Sequence, residues 1–409
     1  MQFKDFELSA QLHKAIEKAG WEEPTPVQAA AIPAILEGSD LMGLAQTGTG
    51  KTAAFALPIL QRLLTGKQKQ VRALIIAPTR ELAEQLNDDI MQLASDLSTR
   101  SQTVYGGMSF RNQMMALKDG VEIVVATPGR LLDHLQRRTI DLRAVEMLVL
   151  DEADRMFDMG FLPDIRKILG QLPKRRQNLL FSATMPFAVR SLADDMLNDP
   201  VVIQIDFARP AVTVTHALYE AENYIKTALL RELLKKTSTE SVLIFTRTKH
   251  RASEVARQLK QDGFRAASLQ GDLTQSKRQK ALNGFREGRT QILVATDIAA
   301  RGLDISLVSH VINYDMPATA DDYTHRIGRT GRASRHGDAF TFVTHEDEKM
   351  VRVIEQVLGE KLERLKLPEI DYTPPGPVNR KPLTTTGVAG SQARYRRGSS
   401  RAGSRRGDR

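Results

Sequence analysis

The sequence predicts an α/β protein of two tandem domains, each a parallel sheet flanked by helices, followed by a disordered basic tail. Three observations carry this expectation. Short apolar runs alternate with helical patterns along most of the 409 residues, the same alternation restarts after Asp206-Phe207-Ala208-Arg209-Pro210, and from about Pro368 the composition turns to Pro, Gly, Ser, Thr and Arg. Continuous apolar runs suit strands covered on both faces, and strands alternating with helices suit a parallel sheet.

In the first half the strand candidates are Leu41 to Ala45, Arg72 to Ala77, Glu122 to Ala126, Glu146 to Leu150, Asn178 to Ser182 and Val201 to Ile205, with helices over Arg80 to Ala94 and Pro186 to Leu197. In the second half strands fit Ser241 to Thr246, Arg265 to Leu269, Gln291 to Ala295, His310 to Tyr314 and Ala339 to Val343. Helices fit Thr227 to Lys236, Lys249 to Gln261, Gln275 to Gly284 and Asp347 to Leu358. The expected boundaries are a first domain over 1–205, a linker over 206–212, a second domain over 213–367 and the tail over 368–409. No sequence repeat relates the two halves.

Composition narrows the chemistry. There is no cysteine, which excludes disulfides and thiolate metal sites. No basic segment followed by an apolar stretch opens the chain, and no run approaches the ~20 apolar residues of a membrane span, so a cytoplasmic protein without a membrane segment is expected. Of the formal net charge of +9, the stretch from Gly376 to Arg409 carries +8. The body is therefore close to neutral, and a nucleic-acid site on it must come from local arrangement. The tail, with arginines among Gly and Ser and one aromatic, Tyr395, suits either a solvated extension or sequence-tolerant nucleic-acid affinity.

Ala45-Gln46-Thr47-Gly48-Thr49-Gly50-Lys51-Thr52 has the spacing of a phosphate-binding loop between a buried strand and a helix N-terminus, where backbone N–H groups close around a polyphosphate. Lys51 would reach the β- and γ-phosphates and Thr52 would ligate Mg²⁺. Ala45 stands where the strict pattern has Gly. Asp151-Glu152-Ala153-Asp154 follows the apolar run Met147 to Leu150 and so emerges at a sheet's C-terminal edge. Asp151 suits Mg²⁺ held through water, and Glu152 suits orienting and deprotonating an attacking water. An acidic cluster alone is usually a solvated turn; its pairing with the loop gives it chemistry. In His325-Arg326-Ile327-Gly328-Arg329-Thr330-Gly331-Arg332 the arginines recur every third residue, near one face if the stretch is helical. Such a cluster is either an exposed face or a phosphate contact. If it faces the nucleotide, Arg329 and Arg332 would neutralise charge on the transferred phosphoryl group, and hydrolysis would depend on domain closure.

With these residues the chain resembles the DEAD-box ATP-dependent RNA helicases of superfamily 2. The loop, Asp151 to Asp154, Ser182-Ala183-Thr184 and His325 to Arg329 match motifs I, II, III and VI in order. The resemblance implies two RecA-like domains, ATP and Mg²⁺, and RNA, duplex or single-stranded, as partner. It implies a Q motif in Pro24 to Gln28, with Gln28 reading the adenine edge and Phe3 stacking on its face, and it places Asp304 on the ribose. It implies that Ser182 and Thr184 couple Asp154 to His325. RNA contacts are implied at Pro78, Thr79, Arg80, Gly106, Gly107, Thr127 and Arg130, and in the second domain at Phe245, Gln270, Gly271, Thr296 and Gly302. It removes the weight of Ala45, a residue common there in this family. The short N-terminus and tail resemble the bacterial RhlE-type branch. A monomeric core is expected, with ribonucleoprotein or decay complexes left open as partners. Two other readings stay open: an ATP-switched RNA clamp or chaperone that unwinds nothing, and a DNA-directed translocase.

Overall fold

The computed structural model describes residues 1–45, 48–205, 214–237, 240–300, 305, 308–331 and 336–373. The expected positions Gln46, Thr47, Gly302, Asp304 and Arg332, the 206–212 linker and all but the first residues of the tail lie outside them.

The first sheet contains β1 (Leu41–Leu44), β2 (Ala73–Ile76), β3 (Ser101–Val104), β4 (Ile123–Ala126), β5 (Met147–Leu150), β6 (Gln177–Ser182) and β7 (Val201–Gln204), in the order β3-β4-β2-β5-β6-β1-β7, every pair parallel. The second contains β8 (Val214–Glu220), β9 (Val242–Phe245), β10 (Ala266–Leu269), β11 (Ile292–Ala295), β12 (His310–Asn313), β13 (Gly337–Val343) and β14 (Glu363–Leu365), in the order β10-β11-β9-β12-β13-β8-β14. Counted from each sheet's own first strand the two orders are the same. Two RecA-like units are thus built on one topology although no sequence repeat announces it.

Alternate residues of the first sheet feed opposite cores. Ile75, Val125 and Val149 pack under the helices Lys51–Leu63 and Arg80–Leu93, whereas Leu74, Val124 and Leu148 join Leu131, Met156, Ile165 and Val189 on the other face. This is the two-sided burial that makes the strands read as unbroken apolar runs. Gly43 in β1 is required by packing, since a Cβ there would lie 2.6 Å from the Phe181 ring.

Three strands were not expected. Ser101–Val104 is a polar edge strand with one buried residue, Val214–Glu220 adjoins the linker, and Glu363–Leu365 is three residues long. None shows the apolar run by which the others are read. Among the described residues no helix is long and apolar enough to cross a membrane.

Candidate nucleotide site and nucleic-acid face

The loop after β1 turns through left-handed backbone at Gly48 (φ 84°) and Gly50 (φ 92°), conformations that cost glycine little. At Gly50 a Cβ would also stand 2.5 Å from the Gln28 amide. Gln28, 5 % exposed, donates from Nε2 to the Gly50 carbonyl at 3.1 Å and accepts from the Thr25 N–H at 2.9 Å, tying the N-terminal segment to the loop. Lys51 opens the helix Lys51–Leu63. Its Nζ is buried and pairs with Asp151 Oδ1 at 3.6 Å, and among the described residues it makes no hydrogen bond. A buried ammonium with unused donors suits an anion placed beside it.

Asp151 leaves the end of β5, its N–H bonded to the Ile76 carbonyl. Burial pushes its carboxyl up, against the pull of Lys51. Glu152 adopts a left-handed conformation (φ 55°, ψ 55°), a strained position for a residue with a Cβ and one that clusters at functional sites. Burial pushes the Glu152 carboxyl up as well, but the charges of Arg155, Lys51 and Arg329 outweigh it and hold it at about 2. Arg155 Nη1 donates to Glu152 Oε2 at 2.8 Å, and Nη2 reaches the Ile298 carbonyl of the second domain at 3.5 Å. The Asp154 carboxylate accepts from the Thr184 N–H (2.7 Å), the Thr184 hydroxyl (2.9 Å) and the Ala183 N–H (3.1 Å). Ser182 Oγ accepts from the Asp154 N–H at 3.1 Å and donates to the Thr184 carbonyl at 2.7 Å. The expected Asp154, Ser182 and Thr184 unit is therefore present, and His325 lines the same cleft with Arg329.

Arg326 and Arg329 do not share a helix face, because the helix Ala320–Ile327 ends at Gly328. Arg326 points inward. It makes a two-pronged pair with Asp297 (2.6 and 2.7 Å), donates to Asn313 Oδ1 and the Asp315 carbonyl, and lies 5.0 Å over the Phe245 ring. Arg329, past the helix end, faces the first domain instead, and Arg332 lies outside the described residues.

Two aromatic expectations need correction. Phe3 is 3 % exposed, packed edge-on to Phe6 and stacked on Trp21, so its ring offers no free face to a base; Trp21, 38 % exposed, is the open aromatic of that stack. Phe245 is 2 % exposed in the second domain's core, so its side chain cannot touch a nucleic acid.

On the first domain the expected RNA residues converge. Thr79 caps the helix Arg80–Leu93 by accepting from the Leu82 N–H, next to the buried Pro78. The Arg80 guanidinium lies over Gly106 and Gly107; a Cβ on Gly107 would meet its Nη1 at 2.4 Å. Arg130, in the helix Pro128–Gln136 that Thr127 precedes, donates to the Met108 carbonyl at 3.1 Å. On the second domain Gln270 shapes its own turn, its Oε1 accepting from the Asp272 N–H, while Gly271 is open and Thr296 sits at the end of β11. Two contacts join the domains beside this face: Arg278 pairs with the buried Glu81 at 2.5 Å, and Gln275 reaches Glu84 at 3.5 Å. Neither Arg278 nor Arg155 was among the expected residues. The only available signal was their place in the first turn of a helix, which does not name a partner.

A family described as DEAD/DEAH box helicase matches residues 25–192, and a helicase conserved C-terminal domain matches residues 225–334. The DEAD-box ATP-dependent RNA helicase CshA of Bacillus subtilis (strain 168) is 45 % identical over 370 residues, which cover 90 % of this chain and 75 % of that protein. S. cerevisiae Dbp5 bound to RNA and ADP BeF3 is similar in structure, with a TM-score of 0.81 and 32 % identity over 89 % of this chain and 95 % of the other. Mss116p (NTE and C-tail double deletion) bound to ssRNA and AMP-PNP gives a TM-score of 0.80 and 30 % identity over 89 % and 78 %. The sequence relatives carry the name CshA, and the RhlE-type branch expected from the short ends is not supported.

Proposed function

The chain belongs to the DEAD-box ATP-dependent RNA helicases, RNA-stimulated ATPases, and we propose that it remodels short RNA duplexes, largely without regard to sequence, by closing its two domains around ATP and RNA. The observation that carries this reading is geometric: Arg329, from the second domain, lines one cleft with Glu152 and Asp154 of the first.

In this reading Gly48 to Thr52 and the Lys51 ammonium bind the ATP phosphates, and Gln28 ties the adenine side to the loop. Mg²⁺ supplies charge neutralisation on the phosphates when bound; Thr52 and Asp151 would hold it, partly through water. The fit rests on the donors themselves, a buried carboxylate at Asp151 and a hydroxyl at Thr52, the hard oxygen ligands that Mg²⁺ takes. Glu152, held by Arg155, orients the attacking water. Arg329 stabilises charge on the transferred phosphoryl group only while the domains are closed. RNA is gripped through phosphates and sugars by Arg80, Gly106, Gly107 and Arg130 and by Gln270, Gly271 and Thr296, contacts that position without reading sequence.

Glu152→Gln tests this directly. It is expected to bind ATP and RNA with wild-type affinity while turnover falls by about 10³-fold and strand displacement stops. Because closure is shared, RNA must tighten a non-hydrolysable ATP analogue by the same factor as the analogue tightens RNA. Unequal factors would rule out a single closure equilibrium.

A further inference from the structure

The helix Phe110–Asp119 buries one residue, and that residue is a glutamine. Gln113 is 4 % exposed and uses both ends of its amide. Its Nε2 donates to the Tyr105 carbonyl at 2.9 Å, at the start of the Gly106-Gly107 turn. Its Oε1 accepts from Arg130 Nη1 at 3.0 Å and lies 3.3 Å from His134 Nε2. The same Arg130 nitrogen reaches the Met108 carbonyl on the far side of the turn.

Gln113 Oε1 can only accept, so a hydrogen bond to it puts the His134 proton on Nε2; Nδ1 lies 2.8 Å from the Thr139 hydroxyl, whose single proton is shared between that nitrogen and the His134 carbonyl at 3.2 Å. Burial, with the charge of Arg130, holds the His134 pKa down to about 4, so the ring is neutral near pH 7. Phe110 stacks on the other side of that ring (centroids 4.2 Å apart) and is itself covered by Arg137 at 4.6 Å. A buried amide bonded at both its nitrogen and its oxygen has one favourable orientation, and it imposes that orientation on its partners.

We propose that Gln113 is the positioning residue of the first domain's RNA face: it locks the Gly106-Gly107 turn and the Arg130 guanidinium into the one arrangement that holds an RNA phosphate. This rests on the RNA-face reading above. Without Gln113, Arg130 keeps its charge and its bond to the Met108 carbonyl but loses its buried side-chain acceptor, and the turn loses its link to the helix Phe110–Asp119. The expected consequence is weaker RNA binding with intact chemistry.

The experiment measures ATPase of the full chain against single-stranded RNA concentration for Gln113→Met, Gln113→Glu, Arg130→Ala and the Gln113→Met/Arg130→Ala double variant. Gln113→Met is expected to raise the RNA concentration for half-maximal stimulation about ten-fold, with kcat at saturating RNA and affinity for an ATP analogue within about two-fold of wild type. Gln113→Glu, which keeps the size and the acceptor toward Arg130 but loses the donor to the Tyr105 carbonyl, is expected to recover only the part of that loss that comes from aiming Arg130, and it carries the test if the methionine variant does not fold. The double variant should be no weaker than the weaker single one, since both remove the same positioned group. An unchanged half-point in Gln113→Met while Arg130→Ala shifts it, a fall in kcat in place of RNA affinity, or multiplying effects in the double variant would each overturn the proposal. An unchanged half-point in Arg130→Ala would instead overturn the RNA-face reading, and this proposal with it.

Discussion

The two domains share one strand order, and each opens a helix with a buried lysine in the same place. Lys51 follows β1 and lies 3.6 Å from Asp151, whose N–H bonds the end of β2 at Ile76. Lys226 follows β8 and lies 3.4 Å from Asp315, whose N–H bonds the end of β9 at Phe245. The second pair repeats the first, but it is closed. Lys226 Nζ donates to Asp315 Oδ1 and sits 5.7 Å over the Tyr314 ring, and Asp315 Oδ2 accepts from the Arg247 N–H. Lys51 Nζ pairs with its aspartate at 3.6 Å and, among the described residues, with no ring or further group, and two left-handed glycines turn the backbone that precedes it. The same lysine–aspartate geometry is a structural tie where the connection lacks glycine, and under the proposal above it becomes a phosphate site where Gly48 and Gly50 turn the backbone left-handed.

Substituting the two lysines in parallel breaks this comparison most sharply. Lys51→Ala is expected to lower kcat/KM for ATP by about 10³-fold or more with little change in melting temperature. Lys226→Met is expected to leave ATP affinity unchanged and to cost about 2–4 kcal/mol of stability, because it leaves Asp315 buried beside no cation. Denaturant titration and analogue binding on both variants check this. Loss of ATP affinity in Lys226→Met would mean that the second lysine takes part in the nucleotide site.

The next effect concerns what the second domain adds in place of a loop. Arg329→Ala is expected to lower RNA-stimulated kcat by about 10³-fold, the lower end of what a transition-state arginine contributes, with analogue affinity within about three-fold. A change confined to ATP affinity would make Arg329 a binding residue, and turnover would then not depend on closure through it.

How much of this was legible beforehand follows from how local each constraint is. Phosphate binding demands small residues and a lysine at fixed offsets, so Gly48, Gly50, Lys51 and Thr52 could be read from spacing alone, as could carboxylates emerging after an apolar strand. Ser182 and Thr184 needed the family resemblance, because a Ser-Ala-Thr triplet says nothing about Asp154. Phe3 and Phe245 were misplaced because a buried aromatic and a stacking one look alike in sequence, and only 3 % and 2 % exposure tells them apart. The spacing of Arg326 and Arg329 suggested one face; the helix ends between them, so one arginine became a core tie to Asp297 and the other a cleft residue. Gln113 and Arg278 could not be read at all, since their partners lie across a fold or across the domain boundary.

Arg278 supplies the smallest and most diagnostic effect. It meets Glu81 where two first-domain roles coincide, because Glu81 belongs to the helix that Arg80 opens toward the RNA face. Both partners are largely buried, with side-chain exposures of 13 % and 4 %. Removing either one therefore leaves a charge desolvated whenever the domains meet, but not when they part. The penalty falls on closure rather than on either domain alone. Arg278→Glu and Glu81→Arg are each expected to weaken the joint binding of RNA and a non-hydrolysable ATP analogue by about ten-fold or more. Each should leave analogue binding without RNA near wild type. The double exchange restores the opposite charges in reversed order and should recover most of the loss. If the double exchange stays as weak as the product of the two single variants, the pair is not what couples the domains, and the coupling must be assigned to Arg155 and its reach to the Ile298 carbonyl.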